Sequence, residues 1–336
     1  MSVSVGWVVT LLLLLSLGII AGALLSLSAL PFLATPQAPL RRVEPAARFW
    51  ILGALAIVPL LAAMTVILIA FGPSLLHAAG IATDHCAGHV HTQGYHLCFL
   101  HFPPPQLNAA LIGATCLVLA WPAIHIAGDL RATLRSQLQT RSLLRLSKYD
   151  EQRRVYLIDA AHPLALVAGL FRPRIIVSEH LEETLSGEQF TAVLAHERAH
   201  QRRRDGMVLF FLHLAMAFHF PPVRRVLRDA LQLAMEQACD EAAARIVDDR
   251  VTVAETLLAL ERAHQGVKPT AATTPAMIRF QTHPIEARVK GLLRGQWIRP
   301  RWPLLGAMAV ALSAVLLAQL PRLHHLLEHG LAHIIF

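Results

Sequence analysis

Residues 191–205 read TAVLAHERAHQRRRD and contain His196, Glu197 and His200 in the order H-E-x-x-H. On an α-helix, residues four apart share a face, so the two imidazoles can point at one metal ion. The glutamate between them lies close enough to accept a proton from an attacking water. In a chain with 19 histidines the string alone does not decide; it needs a helix, a third ligand and a compartment. A helix start is written just upstream. Ser186 with Gln189 three residues later is a capping-box signal, followed by apolar Phe190, Val193 and Leu194.

A third ligand is available further on. MEQACDEAAA, residues 235–244, puts Glu236 and Asp240 four apart on one face of a helix-forming stretch. His196, His200 and Glu236 make a His2Glu set, one of the common catalytic combinations for Zn2+, which leaves a position for water. Asp240 is then placed to hydrogen-bond the far nitrogen of a ligand histidine. An isolated Glu or Asp here reads as a solvated helix charge; the pairing with the histidines gives these two their chemistry.

Composition sets the compartment. Hydrophobic residues make up 55% of the 336 residues and charged residues only 15%, against about a quarter charged in ordinary globular proteins. The apolar residues cluster in four runs, 7–34, 49–72, 107–127 and 303–320. A membrane helix needs roughly 20 such residues, which puts the last run at the short end. No Lys or Arg precedes Arg41, so the first run lacks the basic n-region of a cleavable signal peptide and reads as a retained membrane helix.

The net charge of +8 belongs to the membrane flanks rather than to a nucleic-acid surface, and no direct nucleic-acid binding is expected. Arg41, Arg42 and Arg48 follow the first run; Arg131, Arg135, Arg141, Arg145 and Lys148 follow the third; Lys290, Arg294, Arg299 and Arg301 precede the fourth. The stretch 73–106 has no Lys or Arg. The positive-inside rule then puts both termini and 73–106 outside and 128–302 inside. Cys86 and Cys98 fall in the outer loop, where a disulfide can persist, whereas Cys116 and Cys239 read as free thiols.

The internal segment 128–302 has the size of one soluble domain. It opens with a basic helix over about 129–147, then two β runs, VYLID and RIIVS, separated by Gly169 and Pro173. RIIVS is a candidate edge for an extended substrate. MVLFFLHLAMAFHF, 207–220, ends at Pro221-Pro222 and is too short for a simple crossing. It reads as a buried or membrane-surface helix, since a single crossing there would put Glu236 on the opposite side of the membrane from His196. Residues 223–264 are rich in helix formers, 265–282 read as an irregular loop suited to a lid or self-cleavage segment, and HPIEARVKGLL forms a last internal helix.

AHERAHQRRRD followed at this distance by MEQACDEA resembles the BlaR/MecR-type membrane metallopeptidases, distant relatives of the HtpX-type proteases. GLFRPRIIVSEHLEETLSGEQFTAVLAHE resembles the strand and acidic stretch before the zinc helix, with Ser178 where Pro is common; THPIEARVKGLL resembles the HP-x-x-x-R element near the end of these domains. The resemblance spans roughly 1–320. It implies an α-helical membrane protein of four transmembrane helices with an inserted, mainly α (α+β) gluzincin metalloprotease domain. It further implies one catalytic Zn2+ on His196, His200 and Glu236 with Glu197 as general base, and residence in a bacterial inner (cell) membrane. An external signal would lead to cleavage of a BlaI/MecI-type repressor. An HtpX-like quality-control protease and a non-catalytic receptor that keeps the zinc fold are the alternatives, and a homodimer is left open. His283 and Arg288 are candidate oxyanion or substrate contacts, and Asp205 is a candidate partner for an arginine at the end of the zinc helix.

The chain departs from the beta-lactam sensors of that family after the fourth run. Only PRLHHLLEHGLAHIIF, 321–336, remains, with no S-x-x-K and no room for a penicillin-binding domain. The outer loop instead carries His77, His85, His89, His91, His96 and His101, and the tail His324, His325, His329 and His333. Imidazole suits zinc, copper or nickel, so His85, His89, His91 and His96 are candidates for external metal sensing. Solvated or pH-responsive histidines around a Cys86–Cys98 disulfide are the plainer reading.

Overall fold

The computed structural model describes residues 2–35, 39–81, 109–160, 163–264 and 285–335. His283, the loop 265–282, the outer-loop histidines from His85 to His101, Cys86 and Cys98 lie outside these residues. Cys116 and Cys239 are free thiols.

Among the described residues three helices are long and apolar enough to cross a membrane, or four if a bent helix pair counts as one span. The first is α1 (Ser2–Leu27), followed after a two-residue break by the short α2 (Leu30–Ala34), which Pro31 opens. The second apolar run, 49–72 by sequence, is not one helix. It divides into α3 (Pro45–Ala56) and α4 (Val58–Ala78) at Ile57. Pro59 causes the division: it has no N–H to continue the ladder from α3, yet suits the first turn of α4. Only α4 has membrane length. α3 carries Arg48, which is costly in hydrocarbon, and it packs on α8 and α9 instead. Phe49, Leu52 and Ala56 share a core with Leu209, Leu212, Met216, Leu227 and Leu231.

α1 and α4 meet backbone to backbone. A Cβ on Gly18 would sit 2.3 Å from Ala63 Cα, and one on Gly22 2.5 Å from Pro59 Cα. The close approach of small-residue faces is a common way for membrane helices to pack.

The third run and the basic helix after it are continuous. α5 (Ala109–Leu146) has 38 residues and is therefore about 57 Å long, well beyond the roughly 30 Å of hydrocarbon. Its second half enters the domain built from residues 148–294, where Asp129 pairs with Arg224 at 2.9 Å.

The domain contains one four-stranded sheet, order β1-β2-β4-β3, from β1 (Lys148–Asp150), β2 (Val155–Ile158), β3 (Ala165–Ala168) and β4 (Arg174–Ser178). β2 and β4 are parallel; the outer pairs are antiparallel. β4, read from sequence as a candidate edge, is interior; β1 and β3 are the two edges among the described residues, and β3 is the one beside α7. Gly169, at φ +104°, makes the turn out of β3, where a Cβ would meet Arg172 O at 2.6 Å. Ser178 at the end of β4 explains its departure from proline. Its N–H donates to Leu164 O and its hydroxyl accepts from Leu164 N–H, both at 2.8 Å, which ties down the start of β3.

Helices α6 (Glu179–Thr184), α7 (Gly187–Arg203), α8 (Asp205–Met216), α9 (Pro221–Val247), α10 (Arg250–His264) and α11 (Ile285–Arg294) complete the domain. α7 packs between the sheet and the α9–α10 layer. α8, the awkward 207–220 stretch, has 12 residues, about 18 Å, and buries Leu209, Leu212 and Met216 in the core shared with α3. α12 (Trp302–Ala318) and α13 (Leu320–Ile335) bend by 62° at their junction. The sequence left the last 16 residues as an outer tail; α13 packs on α4, and His324 Nδ1 lies 2.9 Å from Ile69 O.

Candidate active site

The local signals that start α7 operate as read. The Ser186 hydroxyl accepts from Gln189 N–H and the Gln189 side chain accepts from Ser186 N–H. From there His196 and His200 project one turn apart, with their Nε2 atoms 3.1 Å from each other. α9 brings Glu236 against both: Oε2 lies 3.5 Å from His196 Nε2 and Oε1 3.7 Å from His200 Nε2. The two nitrogens approach different oxygens of the same carboxylate, and one ligand atom from each of the three residues can be chosen so that all lie within 4.8 Å of one another, close enough to share one ion. All three residues are buried.

Each histidine is held from behind by a carboxylate. His196 Nδ1 is 3.0 Å from Asp240 Oδ1, and His200 Nδ1 is 2.8 Å from Asp205 Oδ2. These contacts leave both Nε2 atoms directed at Glu236, the arrangement that orients imidazoles toward a metal. Asp205 reaches His200 because α7 ends in a left-handed residue, Arg204 at φ 53° and ψ 40°, which turns the chain back at once into α8. Arg203 Nε donates to the other Asp205 oxygen at 3.0 Å, and its guanidinium lies 5.3 Å from the centroid of the Phe49 ring. The expected arginine partner of Asp205 is there; the bond to His200 went unread in the sequence.

Arg288, a sequence candidate for contacting oxyanion or substrate, has another engagement. It is buried and binds both Asp240 oxygens, at 2.9 and 2.7 Å, and it lies 3.3 Å from Glu236 Oε2. Its guanidinium faces Asp240, behind His196, and the candidate ligand Glu236, so it positions both.

The electrostatics favour a cation at the centre. Burial alone would lift the carboxyls of Glu236 and Asp240, but Arg288 foremost, with His196, holds both below their ordinary range. Burial opposes charge on His196 as well; its bonds to Asp240 and Glu236 outweigh that and push it up to about 10. Burial raises Glu197, whose Oε2 is enclosed without a hydrogen-bond partner. Three converging donors, two carboxylate-held imidazoles and a solitary buried carboxylate oxygen fit a divalent metal. A second group, His200, Asp205 and Cys239, also lies within ligating distance. Burial and the nearby Asp205 push the Cys239 thiol well up, so it acts as a neutral donor to Asp205 at 3.5 Å.

Two depressions flank this centre. A cleft of 260 Å³ is bordered by Glu197, His200 and Glu236, by edge strand β3 and by Thr133 and Gln137 of α5. A mostly apolar pocket of 90 Å³, walled by Leu164, Val193, Val253 and Leu257, opens beside His196 and Glu197. Glu197 borders both.

The profile of the BlaR1 peptidase M56 family matches residues 105–292, more than half of the chain and the whole site. The chain is an M56 peptidase. Comparisons with curated proteins and with solved structures found no match. The M56 match runs from just before α5 to α11, so the long helix lining the cleft belongs to the peptidase unit as much as the H-E-x-x-H helix does.

Proposed function

We propose that this M56 peptidase is a zinc endopeptidase of the gluzincin type, anchored by four crossings with α12 and α13 together as the fourth and the peptidase domain in the cytoplasm. In this reading His196, His200 and Glu236 hold one Zn2+. An external signal releases cleavage of a cytoplasmic protein, a DNA-binding repressor of the BlaI/MecI type, with the chain itself making no nucleic-acid contact. The observation that carries it is the convergence of three ligand atoms beside a buried glutamate whose Oε2 has no hydrogen-bond partner.

When bound, zinc supplies Lewis acidity toward a water and toward the scissile carbonyl. Glu197, lifted by burial toward the working pH, takes the proton of the attacking water and passes it to the leaving amine. Asp205 and Asp240 keep the imidazoles in register. β3 offers its free edge to an extended substrate, and the pocket beside His196 admits an apolar side chain next to the cut bond.

The test is Glu197→Gln in the full chain, co-expressed with a candidate repressor. Cleavage falls by about 10²–10⁴-fold, while metal analysis of the purified protein still finds one zinc per chain. Unchanged cleavage refutes the assigned base. Cutting of damaged membrane proteins with the repressor spared favours the quality-control role instead.

A further inference from the structure

Away from the metal centre, a cavity of 360 Å³ lies between α2–α3 and α9–α11. Its floor is apolar, from Leu33, Leu40, Leu52 and Leu233; its rim is cationic, from Arg41, Lys290 and Arg294. Arg48 is buried in its wall, donating to Arg41 O at 3.2 Å and to the Gln237 side-chain oxygen. Among the described residues no carboxylate pairs with Arg41, Arg48 or Arg294, and the only acid in the lining, Glu286, is already bound to Lys290. A buried guanidinium without a counter-anion is costly, and burial together with Arg41 pushes that of Arg48 down to about 10.

Position bears on which anion would suit this lining. α1 ends at Leu27, a few residues before Leu33, and α12 starts at Trp302, a few residues after Trp297 in the cavity wall. A parallel bridge between Val43 and Ile298 ties the two approaches together. The cavity therefore sits by the ends of two candidate spanning helices, which in the cytoplasmic orientation proposed above is the side whose leaflet is rich in anionic lipid. Phe32, 66% exposed, stands at its mouth.

We infer that this cavity binds the phosphodiester headgroup of an anionic phospholipid, with the guanidiniums of Arg41, Arg48 and Arg294 on the phosphate and the start of an acyl chain along Leu33 and Leu40. Free phosphate shares the charge but leaves the apolar floor unused, so the lipid is the occupant. Gln237, which receives Arg48, is the neighbour of Glu236 and donates to Ala287 O at 2.7 Å, next to Arg288. The headgroup is thus one residue from each side of the metal-site wall.

The full chain, delipidated in detergent, is titrated with phosphatidylglycerol, with phosphatidylcholine of the same acyl chains and with inorganic phosphate. Bound lipid is counted by native mass spectrometry, a readout independent of peptidase activity. One tightly held phosphatidylglycerol is expected, with phosphatidylcholine released and phosphate failing to compete. The exposed-rim double variant Arg41→Gln/Arg294→Gln folds and loses about twentyfold or more in affinity, at about fivefold per charge. Arg48→Gln weakens binding further. Equal retention of phosphatidylcholine, wild-type affinity in the rim variant, or displacement by phosphate overturns the assignment.

Discussion

Asp205 and Asp240 do the same work on different histidines, but only Asp240 was legible. Asp240 stands four residues from Glu236 on a single helix, and helix arithmetic brings it to the site. Asp205 depends on a left-handed turn at Arg204, a residue that gives no hint of one, since glycine or asparagine is the usual signal. Asp205→Asn should lower zinc affinity by about 10–100-fold, measured by competition with a chromophoric chelator, with the fold intact by circular dichroism. Undiminished affinity would show that His200 is oriented by something else. In chelator-treated protein the His196 pKa is pushed up to about 10 from an ordinary 6.5. A raised folded-state value contributes stability that is full below 6.5 and lost as pH rises through about 10. The thermal midpoint of the chelated protein, as far as this group sets it, should fall across that window. Apparent zinc affinity should climb over the same range, because the metal must displace that proton. Parallel midpoints with and without zinc at every pH would refute the linkage.

Among the elements, α3 was the one the sequence concealed. Its apolar residues continue into α4 without a charge after Arg48, so a hydropathy window merges the two helices; Pro59 and Arg48 were the signs of a break. The opposite happened at α5, which the sequence split from its basic continuation: the change in composition near Asp129 suggested a boundary where the backbone has none. Edge position in the sheet could not be read because it depends on strand order, and β3, only four residues long, escaped notice beside RIIVS. α3 ties into the catalytic layer through Phe49, which is 1% exposed. Phe49→Ala should cost about 3–5 kcal/mol, seen as a lower thermal midpoint. It should also weaken metal retention, because Arg203 loses the ring it lies over. A loss of stability with zinc affinity unchanged would confine α3 to a packing role.

At the scale of the whole molecule, the long apolar helices and the meeting of His196, His200 and Glu236 were legible because they rest on local patterns: apolar runs, two histidines four apart on one helix, and a Glu–Asp pair four apart on another. Interhelical contacts were harder. Gly18-x-x-x-Gly22 is a recognised close-packing signal in an apolar helix, and it was present in the sequence; its partner, α4 from Pro59 to Ala63, was not readable. Gly18→Leu drives a side chain into the Ala63 backbone. It should cost at least about 1–3 kcal/mol, observed as a lower melting point in detergent. Unaltered melting would mean that the two helices separate without penalty. Two of the histidines assigned to the outer face already have partners, His324 and His325 both lying against Glu328. Metal sensing by the loop histidines His85, His89, His91 and His96 is tested by a metal titration of the isolated loop.

The glycine seam also bears on how force travels through the chain. Helices in backbone contact at two successive turns behave as a single stiff strut, with little freedom to slide or splay. A tug on the far end of α4 is not absorbed along its length; it arrives at the hinge beside Ile57. Beyond that hinge lies α3, with Phe49 beneath the arginine that steadies Asp205, and Arg48 on the neighbour of Glu236. One short lever thus has a hand on each of the two helices that carry the candidate ligands.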